Sequence, residues 1–591
     1  MSFHPNEMLR RARVARAVLV LAFTGLGAAF FRAQVIESAQ YVARSEMNRL
    51  REVPVPGARG TILDRRGEVI AENLPGYTVM LISPTEDSLR TALGTLAGVV
   101  PLDSAQQAEI VRRYRRSRPR PAVIFNNAPF AVVSALEERR VEFPGLIIQS
   151  APKRYYPEGR AFSAVLGYTA EISEPELALE AFDGYKAGQV IGKSGLERQY
   201  ESRLRGMEGT RFIEVDARNR IVRDEGVRAE IPATAPPPLR TTLDLDLQRY
   251  AHSLFGDSLQ GGLVALDPGT GGVLALYSAP TFDLNRFTGG VSKSYFDSLN
   301  TDKRRPMYIK AFQGFYPPAS TWKLATAIIA MERGLAGIDT HMGQPCTGGY
   351  QFGGRYFKCW NKRGHGDVNM AQAIAQSCDV YFYQLGLRIG LTNLVAGGIK
   401  LGFADRTGID LPSETRSRFP FPDARAYYNA LYPKGWTNAV TLNLSIGQGE
   451  NDQTVINMAR FYAALATDGS APVPHIVEGP TDRRVLFSLT PKQLQELRMA
   501  MADVVSGRGT AGSAAIQGLR VAGKTGTAQN SQGADHAWFV GFAPLDSPKI
   551  VVAVMLEFGE HGYHAARIAT KVMERYLRMP LENASTSTAT Q

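Results

Sequence analysis

Ser320 and Lys323 stand three positions apart in Tyr-Pro-Pro-Ala-Ser-Thr-Trp-Lys, residues 316–323. Pro317 and Pro318 suit the entrance of a helix, the apolar run after Lys323 keeps helical spacing, and Gly334 offers a stop. Ser320 then falls at a helix N-terminus with Lys323 one turn on, where its amine can reach the serine hydroxyl. Serine is a poor nucleophile at neutral pH, so this is a nucleophile with its own base. A Ser-x-x-Lys string alone is frequent by chance, and most such lysines are solvated. Two further stretches follow it: Ser377-Cys378-Asp379, and Lys524-Thr525-Gly526-Thr527.

The only three cysteines, Cys346, Cys359 and Cys378, lie close together with His365 among them, as Cys-x12-Cys-x5-His-x12-Cys. Three thiolates and an imidazole are the inventory of a closed structural Zn²⁺ site. In an exported protein one disulfide plus a free thiol is the simpler use, and three buried free thiols are a third possibility. An odd count and a glycine-rich loop from Pro345 to Gly366 that has little core of its own favour zinc. Cys378 is the middle residue of the second motif, so its side chain points away from the pocket if Ser377 and Asp379 point in. A metal there would be structural and would fix where Ser377 sits.

The three motifs, in this order and spacing, resemble the Ser-x-x-Lys, Ser-x-Asn and Lys-Thr-Gly set of penicillin-binding proteins and serine β-lactamases. Arg59-Gly60-Thr61-Ile62-Leu63-Asp64, with Arg65 to Ala71 after it, reads as a strand, turn and strand, and is similar to the first signature of the class B pedestal. Gly192-Lys193-Ser194-Gly195-Leu196-Glu197, with Tyr200 and Gly209, is similar to a later one. The resemblance implies acyl transfer through Ser320, with Lys323 as base. Lys524 would be the cation that holds Lys323 neutral, with the Ser320 and Thr527 N–H groups as oxyanion hole. It further implies Ser377 as proton relay, and Lys524, Thr525, Gly526 and Thr527 around the carboxylate of a D-Ala-D-Ala stem peptide. Asp379 stands where the pattern has Asn. An ionised carboxylate beside Lys323 opposes its neutralisation, so either Asp379 points away or the base assignment weakens; it reads as a subfamily mark.

These motifs need a frame. Gly262–Leu266 and Val273–Tyr277 are apolar strands joined by Asp-Pro-Gly-Thr-Gly, a turn by composition. Leu519 to Ala522 running into Lys524, Ala537–Phe542 and Ile550–Leu556 supply three more, with Trp538 expected to face the core. Residues 370–390 and 456–469 carry the clearest helical periodicity, and Tyr563–Leu577 supplies a covering helix. The reading is an α+β sandwich of five antiparallel strands with a helical subdomain, in agreement with the penicilloyl-serine transferase (β-lactamase-like) fold that the motifs imply.

The chain of 591 residues exceeds one core and suggests three or four domains. Ala17–Phe31 is uncharged, follows Arg10, Arg11, Arg13 and Arg16, and precedes Arg32. At 1.5 Å per residue it spans only about 22 Å against a hydrocarbon core of about 30 Å, so Arg16 and Arg32 would snorkel. No small-x-small cleavage site follows, which disfavours a signal peptide, and the positive-inside rule leaves the N-terminus cytoplasmic and the remainder periplasmic, at the inner membrane. The expected order is a tail at 1–16, an anchor at 17–33, an extended mixed α/β pedestal at 34–238, a transpeptidase domain at 239–580 and a disordered tail at 581–591. A mobile head would be inserted in the pedestal at about 83–152, and the proline cluster at 232–238 is a linker. The net charge of +11 is moderate for the length and reads as a solvated basic face, with no nucleic-acid partner.

No acidic signature of a glycosyltransferase lies between Gln34 and Arg240, which excludes a bifunctional class A enzyme. A β-lactamase would need neither pedestal nor anchor. A division-type transpeptidase and a catalytically idle scaffold remain as alternatives. Gly364-His365-Gly366, Ser-Cys-Asp-Val-Tyr-Phe-Tyr-Gln and Tyr-Pro-Pro-Ala-Ser-Thr look more like the elongation branch, penicillin-binding protein 2. That resemblance implies β-lactams as inhibitors and a RodA-like membrane glycosyltransferase, with other elongation-complex proteins, as partners.

Overall fold

The computed structural model describes residues 5–41, 49–117, 120–216, 220–224, 226–507 and 509–578; the expected C-terminal tail lies outside them. A helix, Pro5–Phe31, opens the chain and runs into a π-helical turn, Arg32–Ile36. Among the described residues Met8–Ile36 is the one helix long and apolar enough to cross a membrane, with a mean hydropathy of 2.0 over its best window. It starts well before Ala17, so the helix itself is not short.

The five-stranded antiparallel sheet is present, in the order Val273–Ala279, Gly261–Leu266, Ile550–Leu556, His536–Ala543, Ala522–Ala528. Its central strands are buried at every position because helices cover both faces. Gly562–Arg578 and the entirely buried Val455–Ala466 both pack on it. Trp538 is fully buried, as expected. The Lys-Thr-Gly strand begins at Ala522 and not at Leu519, because Ile516 and Leu519 bridge across a turn in which Gly518 takes φ +79°.

The second correction concerns residues 370–390. Continuous helical periodicity there hides a break: one helix, Met370–Ala375, stops, and another, Asp379–Ile389, starts after it. Ser377 sits in the break at φ +57°, a left-handed conformation that a non-glycine residue adopts at a cost of about 1–3 kcal/mol.

In the pedestal, Ile62–Leu63 and Val69–Leu81 pair antiparallel, as the hairpin reading expects. The second strand continues to Leu81 and pairs along its length with Leu146–Tyr155. Between them, helices Glu86–Leu96, Ser104–Ser117 and Phe130–Glu138 and strand Ala122–Phe125 surround a separate apolar core. The two pedestal signatures meet in one buried ion network. Arg59 Nε donates to Glu197 at 2.5 Å, Arg59 Nη2 to Glu201 at 2.6 Å, and Arg154 Nε to Glu197 at 2.6 Å. A side chain at Gly192 would run into the Glu197 carbonyl, which is why glycine stands there.

The pedestal hairpin docks on the catalytic domain. Asp64 accepts from the Arg66 and Glu68 N–H groups and from Leu245 N–H at 3.2 Å, and Arg66 pairs with Asp244, the N-cap of helix Leu245–Phe255.

Candidate active site and cysteine cluster

Ser320 lies in a single 3₁₀ turn, Ala319–Trp322, that passes directly into helix Lys323–Glu332. The prolines before it provide the entrance, and Gly334 at φ +64° provides the stop. The turn is pinned from three sides. Ala319, itself at φ +48°, donates its N–H to Gly447 O at 2.9 Å. Tyr462 OH holds Thr321 O at 3.0 Å, and Trp322 is buried against Phe403 and Phe419. Gly447 belongs to Ser-Ile-Gly-Gln-Gly, and a side chain there would strike the Ala319 carbonyl.

Lys323 is fully buried, and its amine turns to the second motif. It donates to Ser377 O at 2.8 Å, to Ser377 Oγ at 3.3 Å and to Asp379 Oδ1 at 2.7 Å. No hydrogen bond to the Ser320 hydroxyl forms among the described contacts, so the expected serine–lysine contact is replaced at rest by a lysine–aspartate pair. Asp379 does not point away. Burial pushes its carboxyl up from the ordinary range, and Lys323 pulls it back.

The third motif lies on the free edge of the sheet and packs against the Ser320 turn; a side chain at Gly526 would come within 2.9 Å of Pro318 O. Lys524 is fully buried, and its amine has Thr525 O at 3.3 Å as its described hydrogen-bond partner. Burial, and then the neighbouring charge of Lys323, hold Lys524 well below the ordinary lysine range, with Asp379 opposing. This direction runs against the expectation that Lys524 is the cation of the pocket. Thr525 is buried and shares a hydrogen bond with Thr510 at 2.6 Å, whereas Thr527 is exposed at the lip.

The four residues of the cysteine string converge. Cys346 Sγ, Cys359 Sγ, Cys378 Sγ and a His365 nitrogen all lie within 4.8 Å of one another, and the three thiols are free. Sγ of Cys346 and of Cys359 are each 3.5 Å from His365 Nδ1. Tetrahedral Zn²⁺ with bonds of about 2.3 Å to sulfur and 2.0 Å to nitrogen spaces its donors about 3.5–3.8 Å apart, so the cluster fits a metal of that kind. Short hairpin Gly349–Phe352 and Arg355–Lys358 presents Cys359, and paired hydrogen bonds between Cys346 and Gly366 close the loop.

Sequence reasoning missed Trp360. Its main-chain N–H donates to Asp379 Oδ2 at 3.0 Å and its indole N–H to Gln376 O and Ser377 O. Its position directly after Cys359 was the available signal.

Two families match this chain: the penicillin binding protein transpeptidase domain over residues 261–576 and the penicillin-binding protein dimerisation domain over residues 54–234. The peptidoglycan D,D-transpeptidase MrdA of Acinetobacter baumannii is 33% identical over 97% of this chain and 88% of its own length. Penicillin-binding protein 2 of Helicobacter pylori, solved in complex with MreC, superposes with a TM-score of 0.78 at 28% identity, over 90% of this chain and 99% of that one. A chain of a peptidoglycan synthase complex, solved for its coordination of polymerization and crosslinking, superposes with a TM-score of 0.69 at 29% identity, over 96% and 97%. A transpeptidase sandwich carried on a dimerisation-type pedestal defines a class B penicillin-binding protein, and the chain belongs to that family. Within it, the chain falls in the penicillin-binding protein 2 branch, alongside the MrdA transpeptidases.

Proposed function

We propose that this chain cross-links peptidoglycan stem peptides during cell elongation, through an acyl-enzyme formed on Ser320 and open to β-lactams. The observation that carries this reading is the convergence of the Ser320 turn, the Lys323–Ser377–Asp379 cluster and the Lys524 strand on one buried pocket. Ser320 attacks the carbonyl of the penultimate D-alanine while Lys323 takes its proton. Asp379, whose burial favours its protonated form, shares a proton with that amine and lets it become neutral without leaving the pocket. Ser377, within 3.3 Å of the same amine, passes the proton to the departing D-alanine. The N–H groups of Ser320 and Thr527 receive the oxyanion, worth about 2.7–4 kcal/mol per donor. Lys524, whose charged form burial disfavours in the free pocket, would pair with the substrate carboxylate, with Thr525, Gly526 and Thr527 lining that end. The amine of a second stem then attacks acyl-Ser320.

Fluorescent penicillin tests this directly: wild type should be labelled covalently and Ser320→Ala not at all. Labelling that survives in Ser320→Ala, or that fails in wild type, sinks the acyl-serine reading and leaves a scaffold.

Cys346, Cys359, His365 and Cys378 would hold one structural Zn²⁺, which supplies no step of the reaction and ties the glycine-rich loop to the back of Ser377. Met8–Ile36 would anchor the chain in the inner membrane with its N-terminus cytoplasmic, the pedestal ending near residue 238 and the catalytic domain facing the periplasm. The likeness to chains solved with MreC and in a peptidoglycan synthase complex supports elongation-complex proteins as partners, among which a RodA-like glycosyltransferase would be one.

A further inference from the structure

Trp360 belongs to none of the three motifs, yet through it the cysteine loop meets them. Cys359 faces His365 Nδ1 at 3.5 Å, and the indole of the next residue lies 5.3 Å from the same imidazole. From that anchored position Trp360 reaches two groups in the pocket. Its main-chain N–H takes Asp379 Oδ2 at 3.0 Å, while the other oxygen of that carboxylate takes Lys323 Nζ at 2.7 Å. Its indole N–H is shared between Gln376 O at 3.1 Å and Ser377 O at 3.2 Å, and Lys323 Nζ donates to the same Ser377 O at 2.8 Å.

The Ser377 peptide needs this. At φ +57° the residue holds a costly conformation that lasts only where its surroundings over-determine it. Two donors on one carbonyl fix the Ser377–Cys378 peptide plane, and one of them, Lys323 Nζ, also reaches Ser377 Oγ at 3.3 Å. Trp360 is 59% exposed, so burial does not explain its place. What Trp supplies there that Phe or Leu cannot is the N–H.

We propose that Trp360 is a positioning residue for acylation: its two N–H groups fix the Ser377 carbonyl and the Asp379 carboxylate, and so hold Lys323 between them. Through Trp360 the state of the cysteine loop is imposed on the catalytic lysine. The proposal rests on the acyl-Ser320 reading.

The test uses the full chain in detergent, as Trp360→Phe and with Trp360 replaced by 3-benzothienylalanine, which keeps the ring shape and lacks the N–H. Acylation by fluorescent penicillin is resolved into the dissociation constant of the pre-covalent complex and the first-order rate of bond formation. Both variants should lose about tenfold in the rate, the scale of one hydrogen bond. Their pre-covalent dissociation constant, melting temperature and metal content should match wild type. A wild-type rate in the benzothienyl protein would overturn the proposal, as would a loss confined to the dissociation constant or to melting. Absence of label in wild type would remove the acyl-Ser320 reading, and this proposal with it.

Discussion

Two lysines, Lys323 and Lys524, share one pocket from which water is largely shut out, and the carboxylate of Asp379 pairs with the first of them. Arginine keeps the charge of Lys323 and cannot give up its proton, so Lys323→Arg should keep the fold and lower acylation about 10²–10⁴-fold. An unchanged penicillin acylation rate would show that another group is the base. Lys524 carries the opposite signature. Its folded form resists protonation, so below the ordinary lysine range the unfolded chain binds more protons than the native one and the residue costs stability. Lys524→Met should therefore melt higher, by about 1–3 kcal/mol near neutral pH, while acylation is lost. The stability gap to wild type should narrow as pH rises toward 10; a variant that melts lower at pH 7 would refute this.

At the scale of elements, the site lives in interruptions. Period and glycine placement made the strands of the sheet and the Ser320 helix legible, since Gly334 stops the helix as the sequence says. The Ser377 break was invisible because Ala-Gln-Ser-Cys-Asp-Val keeps helical spacing straight through it, and what bends the chain is tertiary: Lys323 on the Ser377 carbonyl. The direction of Asp379 was equally hidden, since it is set by Lys323 and Trp360 from distant parts of the chain. The cysteine string was legible as a set of candidate ligands because residue types, and not contacts, carry that signal. Metal analysis should find about one zinc per chain, and His365→Ala should lose it together with thermal stability and acylation rate. A metal-free preparation with a Cys346–Cys359 disulfide and full acylation would dismiss the metal.

Across the whole molecule, pedestal and catalytic domain are interlocked by paired polar contacts. Asn285 exchanges two hydrogen bonds with the Tyr156 backbone, and Tyr200 OH reaches Asp410 at 2.6 Å. Beneath that seam lies Glu197. Burial by itself would raise its carboxyl, yet Arg154 and Arg59 hold it below the ordinary glutamate range. Its folded pKa is depressed, so its stabilisation is complete above the unfolded value of about 4.3 and is lost as pH falls through the folded value. Melting temperature should drop steeply below about pH 4 in wild type. Glu197→Gln should be destabilised by about 3–5 kcal/mol at pH 7, with two buried guanidiniums short of a partner, and should show a shallower acid limb. Equal acid limbs would exclude this network as a source of acid sensitivity.

The sheet ends on Ala522–Ala528, and a sheet that stops must do something with the unpaired backbone it leaves behind. Proteins blunt such borders with charge, with short strands or with a cover. Here the cover is the reactive turn around Ser320, which packs against this strand. The features read above as catalytic thus also keep this molecule from extending its sheet into a neighbour's, and a substitution that loosens the Ser320 turn exposes an adhesive border as well as a damaged active site.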